Sequence, residues 1–285
     1  MSHNTFVNDA VRKVSSAAFN TPAMTAFEQS LDKFRTNPKF NVGDVTPIAV
    51  SPFGPLGKAK AGFAYMHADI EYANISKNGT AVKVPGLALV RGGSVTVLTF
   101  LQCNGVDYVI LTEQARAPIG ESEYLEAPAG MLDGEEEKFV GVAAKEMGEE
   151  VGLELNGRTD FKYLGEVVPS AGGCDERIRV LFTRVKCNNN VLTYLQGHLA
   201  GSMDENEQIT VRIRPLSVVR SQIRAGVLTD AKLMVGLLHY LESPELHKWA
   251  CGRQLILEDG KPKMVVPAEK PSCLASFWQW VRTVV

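Results

Sequence analysis

Glu146, Glu149 and Glu150 stand in residues 139–151, a run that favours a helix, with Val140, Ala143, Ala144 and Met147 as an apolar stripe and no proline to interrupt it. On such a helix Glu146 and Glu150 lie one above the other at i and i+4, and Glu149 sits beside Glu146 at i+3. Like charges so placed destabilise a helix by about 0.2–0.5 kcal/mol per pair, and Lys145, four residues before Glu149, is the local relief. A hard divalent cation such as Mg²⁺ answers the remainder, since it accepts one or two carboxylates and completes its shell with water and phosphate oxygens. A solvated acidic face is the alternative for the same residues.

The turn before this helix fits the cation. Gly130 and Gly134 permit a tight loop, which allows the main-chain carbonyl of Ala129 to be aimed at a metal, and Gly152 supplies a C-terminal stop. Two other stretches hold chemistry. Asp204-Glu205-Asn206-Glu207 is an acidic loop whose carboxylates can take a proton from water, or else a polar loop tip. Gly172-Gly173 lets the backbone approach a ligand, with Glu176 close behind to accept from a hydroxyl or bind metal, but the lysine and spacing of a phosphate loop are absent. Glu113-Gln114-Ala115-Arg116 ends a strand on an arginine, which is a solvated edge or else a place to hold a phosphate or ribose. The five histidines are scattered, and no Ser, His or Cys arrangement suggests a nucleophile.

These groups must be positioned by elements, and the patterning predicts them. Apolar spacing gives a short amphipathic helix over residues 22–34, followed by a Pro- and Gly-rich loop over 46–62. Alternation over 63–70 and the Asn78-Gly79 dipeptide give a small hairpin sheet with little core of its own, which must lean on the main domain or on a second copy of the chain. From about Leu89 a larger domain opens. Strands are expected over 95–99, 108–112, 124–127, 161–168, 178–185 and 209–213, with helices over 218–225 and from an Asp230 cap to Tyr240. A hairpin at Asp259-Gly260 and an aromatic end, Phe277, Trp278 and Trp280, follow. Helices and strands mingle without strict βαβ alternation. The expected class is α+β, a mixed β-sheet sandwiched between α-helices with a smaller N-terminal β-rich domain, divided as 1–88, 89–246 and a C-terminal extension 247–285.

Composition sets bounds. The chain has 285 residues, 45% hydrophobic and 22% charged, with a net charge of −2, which argues against a nucleic-acid coat or a membrane-surface binder. No apolar run reaches membrane-spanning length and no secretory core opens the chain. The five cysteines form no CxxC, as in a reduced intracellular protein, so a cytoplasmic location is expected, with an organelle-directing N-terminus as the weaker alternative.

The order Gly130, Glu137, Lys145, Glu146, Met147, Glu149, Glu150, Gly152, Leu153 resembles the Nudix hydrolase signature. There are two departures: six residues rather than five separate Gly130 from Glu137, and Lys145 stands where arginine is usual. Lysine keeps the charge but loses the planar fork that orients a carboxylate. Arg91-Gly92-Gly93, the 111–116 and 125–133 segments, 169–176 and Asp230-Ala231-Lys232 further resemble the ADP-sugar diphosphatase branch, chiefly its plant-type members acting on ADP-ribose or ADP-glucose. The resemblance implies the Nudix fold and Mg²⁺, with Mn²⁺ as a substitute, held by the Ala129 carbonyl, Glu146 and Glu150, assisted by Glu149 and Glu176. It implies Glu205 or Glu207 as the loop base, with Glu205 the better match. Arg91, Arg116 and Glu126 would hold the ribose and phosphates, with Gly172 and Gly173 close to the ligand. Hydrolysis to AMP and a sugar 1-phosphate by a homodimer is the implied activity. Alternatives are a Nudix hydrolase for another nucleoside diphosphate compound and a catalytically weak binding or regulatory protein.

Overall fold

The structure, a computed structural model, describes residues 21–53, 60–132, 138–155, 158–201 and 208–265. The chain divides into two compact units: residues 1–95, 131–139 and 166–179 form one, and 96–130, 140–165 and 180–285 the other.

The first unit carries a sheet of β1 (Phe40–Phe53), β2 (Lys60–Lys77), β3 (Thr80–Lys83) and β4 (Leu87–Val90), in which β2 pairs antiparallel with all three others. Two helices precede it, α1 (Pro22–Ser30) and α2 (Asp32–Arg35), where a single helix was expected. Thr21 caps α1 by accepting from the Met24 N–H at 3.3 Å. Met24, Phe27 and Leu31 are buried with Ala64, Met66 and Val90, which is how this short sheet obtains a core. Much of the loop expected over 46–62 is strand, since β1 runs through Pro47 and Pro52. Among the described residues β1 pairs only with β2, and its register slips between Val42 and Val45, between Pro47 and Ala49, and between Ser51 and Pro52. Edge position and bulges are the places where a strand tolerates proline.

The second unit is built on a sheet whose described strands run in the order β11 (Leu199–Ala200), β12 (Ile209–Pro215), β6 (Val106–Arg116), β5 (Ser94–Cys103), β10 (Ile178–Cys187), β13 (Gln254–Glu258), β14 (Lys261–Val265). Beside these, β7 (Glu121–Glu126) pairs with β6, β8 (Ala129–Met131) with β5, and β9 (Lys162–Val167) with β10. One pairing decides where the site lies. β6 pairs with β5 from Val106 to Val109 and with β7 from Thr112 to Arg116, so the ladder beside β6 changes partner midway.

Helices cover both faces of β5, and nearly every residue of that strand is buried. α3 (Phe139–Val151) meets it through Met147, whose sulfur lies 3.6 Å from the Thr99 hydroxyl. α6 (Ala231–Glu242) meets it through Gly236, where an added Cβ would lie 3.4 Å from Leu98 and from Val180. This is the expected mixed sheet between helices. Phe100 packs edge-on against Phe182 and Tyr240, with ring centroids 5.3 and 4.6 Å apart. α5 (Leu216–Arg224) contributes Val219 to the same core. Two helices were not expected: α4 (Asn189–Leu195), capped by Asn188 accepting from the Val191 N–H, and α7 (Pro244–Lys248). The expected hairpin at Asp259-Gly260 is present as β13–β14, with both residues at positive φ, and β13 pairs parallel with β10. The aromatic end, Phe277, Trp278 and Trp280, lies outside the described residues. No helix among the described residues is long and apolar enough to cross a membrane.

Gly86 shows how tightly β4 is laid on β2. Its carbonyl accepts from the Ala68 N–H at 2.9 Å, and a Cβ there would fall 1.9 Å from the Ala68 carbonyl oxygen. Gly86→Ala is expected to destabilise the first unit by about 1–3 kcal/mol. A urea midpoint equal to that of the parent protein would show that β4 does not pack on β2 in this register.

Candidate active site

Helix α3 forms as its sequence directs and stops at Gly152, which adopts φ +74°. The Gly152 N–H reaches the Gly148 carbonyl at 3.1 Å and the Leu153 N–H reaches Met147 at 2.9 Å, closing the last turn over a left-handed residue. The three glutamates then part company. Glu150 is buried, 3% exposed, and accepts from the main-chain N–H of Ala129 at 3.1 Å. Glu146 lies against Gly130, where a Cβ would meet its carboxyl carbon and Oε1 at 2.1 Å. Glu149 turns outward into an ion pair with Lys145 at 2.9 Å, both side chains well exposed.

Gly130 is therefore required for a reason other than chain reversal: only a residue without Cβ leaves room for the Glu146 carboxyl. The start of β8, Ala129-Gly130, thus collects two carboxylates. It is fixed from β5 as well, because the Pro128 carbonyl accepts from the Val97 N–H at 3.1 Å and from the Thr96 hydroxyl at 2.8 Å. Two carboxylates and a main-chain carbonyl form a hard, all-oxygen donor set, and Mg²⁺ is held by one or two protein carboxylates together with substrate oxygens. The residues fit the ion. Among the described residues no group of three or more His, Cys, Asp or Glu side chains is gathered in metal-holding geometry.

The expected loop base falls on Glu205 or Glu207, both outside the described residues. The described residue nearest before them is Gly201. The Gly201 N–H donates to the Glu149 carbonyl at 3.2 Å, in the last turn of α3, where a helix carbonyl lacks an internal partner.

On the sheet side, Arg116 ends β6 and gives Nε to Glu126 Oε1 at 2.6 Å across the β6–β7 ladder. Glu126, 4% exposed, accepts with its other oxygen from Lys232 Nζ at 2.5 Å. Lys232 also meets Asp230 at 3.0 Å, and Asp230 accepts from the main-chain N–H groups of Ala127 at 2.9 Å and Leu233 at 3.3 Å. Burial alone would lower the Lys232 pKa, but the facing carboxylates of Asp230 and Glu126 outweigh it and hold the ammonium above its ordinary value. Sequence reasoning treated Asp230 as a cap and gave Lys232 no role. A lysine just before the apolar run 233–238 of this helix was the available signal.

Arg91, Gly172, Gly173 and Glu176 belong to the first unit. Glu176, 9% exposed, accepts from the Ser94 hydroxyl at 2.8 Å and pairs with Arg91 at 3.3 Å, and the Arg91 guanidinium lies over the Phe63 ring at 5.6 Å. The Arg91 Nε is buried with no hydrogen-bond partner among the described residues. Asp175 takes the main-chain N–H groups of Arg91 at 2.8 Å and Gly92 at 3.3 Å; burial nonetheless pushes its carboxyl above the usual range. The Gly172-Gly173 turn is tied to β4 by the Leu89 N–H donating to the Gly173 carbonyl at 2.8 Å, and it lines a groove of about 350 Å³ with Tyr65, His67 and Lys83.

Over 152 residues the chain is 39% identical to Nudix hydrolase 14, chloroplastic, of Arabidopsis thaliana, a match covering 50% of this chain and 48% of that protein. The chain spans about half the length of this curated relative. A Nudix likeness read from the glutamate helix is thus met by a curated relative of that name. A solved structure described as "Crystal structure of ADP compounds hydrolase" aligns with a TM-score of 0.46 and 18% identity, covering 71% of this chain and 95% of that one. No protein-family model matches the chain.

Gly130→Ala tests the carboxylate cradle. Because the displaced group is the end of a flexible side chain, the melting temperature is expected to hold within a few degrees while Mn²⁺ affinity, read by electron paramagnetic resonance, falls about 10- to 100-fold. Unaltered Mn²⁺ affinity would separate Glu146 from the metal.

Proposed function

We propose that the protein is a Mg²⁺-dependent Nudix hydrolase that cleaves the diphosphate of an ADP-sugar, ADP-ribose or ADP-glucose, to AMP and a sugar phosphate. The observation that carries this is the convergence of Glu150 on the Ala129 N–H and of Glu146 on Gly130, in a chain 39% identical over 152 residues to a curated Nudix hydrolase. A carboxylate buried at such a place is costly unless matched by positive charge, and a nucleoside diphosphate approaching it would be repelled without a cation between them.

Glu146, Glu150 and the Ala129 carbonyl are the proposed ligands, with Glu176 assisting, while Lys145 holds Glu149 at the helix surface. When bound, a divalent cation polarises the phosphoryl oxygens and neutralises charge on the departing phosphate. Arg116 is proposed to hold a phosphate of the substrate, oriented by Glu126, and Arg91 with the Gly172-Gly173 turn to hold the nucleoside side. Glu205, or Glu207, takes the proton from the attacking water, a contribution worth about 10²- to 10⁴-fold. A homodimer joined through the N-terminal segment, in the cytoplasm, completes the proposal.

Purified protein supplied with Mg²⁺ is expected to release AMP from ADP-ribose or ADP-glucose, and to release none after chelation. Release from dinucleotides alone would assign another nucleoside diphosphate substrate, and binding without cleavage would assign a regulatory role. Glu150→Gln is expected to lower kcat by at least about a hundredfold while the circular dichroism spectrum is retained; near-parental turnover would remove it from the ligand set. Glu205→Gln should reduce kcat by roughly 10²-fold or more with KM little changed. A parental rate in that variant would pass the role of base to Glu207.

A further inference from the structure

We propose that Lys232 is a positioning residue that holds the phosphate-directed arginine and the cation-directed main chain in one register. The proposal rests on the ADP-sugar hydrolase function set out above and assigns a role to a residue which that function does not use.

The contacts run unbroken from one group to the other. Arg116 Nε meets Glu126 Oε1 at 2.6 Å, Glu126 Oε2 meets Lys232 Nζ at 2.5 Å, and Lys232 Nζ meets Asp230 Oδ1 at 3.0 Å. Asp230 Oδ2 then takes the Ala127 N–H at 2.9 Å, and two residues further on Ala129 donates to Glu150 at 3.1 Å. Both oxygens of Glu126 are thus engaged within the protein, so Glu126 acts on a ligand through Arg116. The side chains of Glu126, Lys232 and Asp230 are 5%, 10% and 6% exposed.

Stability alone does not call for this arrangement. Buried ion clusters replaced by apolar side chains of similar volume are often as stable or more so, and what the charges add is fixed geometry. Here the ammonium joins two carboxylates that would otherwise face each other unscreened. One of them orients a guanidinium. The other fixes the main chain just before Ala129-Gly130. Charge points the same way: Arg116, Glu126, Lys232 and Asp230 sum to zero, and removal of the ammonium leaves a net charge of −1 beside the place proposed for an anionic diphosphate.

The test uses the full chain and three variants: Lys232→Met; Lys232→Arg, which keeps the charge; and Lys232→Met combined with Asp230→Asn, which removes one charge of each sign and keeps the cluster neutral. KM and kcat for ADP-ribose with Mg²⁺, Mn²⁺ affinity without substrate, and melting temperature are measured. The methionine variants are expected to raise KM about 10- to 100-fold, the worth of a charged hydrogen bond, and to weaken Mn²⁺ binding, with Lys232→Arg recovering part of both. Methionine variants that melt earlier yet keep parental KM, kcat and Mn²⁺ affinity would overturn the proposal and leave Lys232 a stabilising residue only. Parent protein that neither releases AMP nor binds Mn²⁺ would instead overturn the functional assignment, and the proposal with it.

Discussion

Two carboxylates drawn to one stretch of main chain, the start of β8, are the constraint on which the second unit is organised. Glu150 reaches the Ala129 N–H from a nearly waterless position, and Glu146 occupies the space that a side chain at residue 130 would fill. A stretch bearing that much negative charge holds its shape only if its neighbours fix it, and they do so at successive residues. Asp230 takes the N–H of Ala127, β5 supplies donors to the carbonyl of Pro128, and Glu150 takes the N–H of Ala129. The change of partner along β6, from β5 to β7, lets the chain pass from β7 through Ala127 and Pro128 into β8 between those anchors.

Polar groups in the first unit obey the same rule on a smaller scale. Asp175 and Glu176 are largely withdrawn from water, and each is met by donors from the segment that follows β4, namely the main chain at Arg91 and Gly92, the Ser94 hydroxyl and the Arg91 guanidinium. An unmatched Arg91 Nε marks the one place there where donor capacity exceeds what the protein supplies among the described residues with buried nitrogen atoms. Burying such a donor costs about 1–3 kcal/mol.

Helix α3 and its carboxylates were legible because the information is local: an apolar stripe, an i, i+4 acidic pair and a terminal glycine all lie within fifteen or so residues of one another. Strand β1 was hidden because its prolines and glycine imitate a loop, and only the edge position, a property of the assembled sheet, makes them tolerable. The divergence of Glu149 from Glu146 and Glu150 was likewise invisible, since helical spacing places all three on one ridge while packing decides which of them is buried. Lys232 was hidden for a related reason: its partners come from residues more than a hundred positions earlier in the chain and from the cap of its own helix.

The tether between Gly201 and the Glu149 carbonyl has a mechanical meaning. Gly201, one residue past β11, is pinned to the C-terminal turn of α3. Any slide or tilt of that helix is passed to the end of β11, so this edge of the sheet and the carboxylates of the helix share one frame of reference. Transplanting the β11–β12 pair into another scaffold would demand that the helix end travel with it.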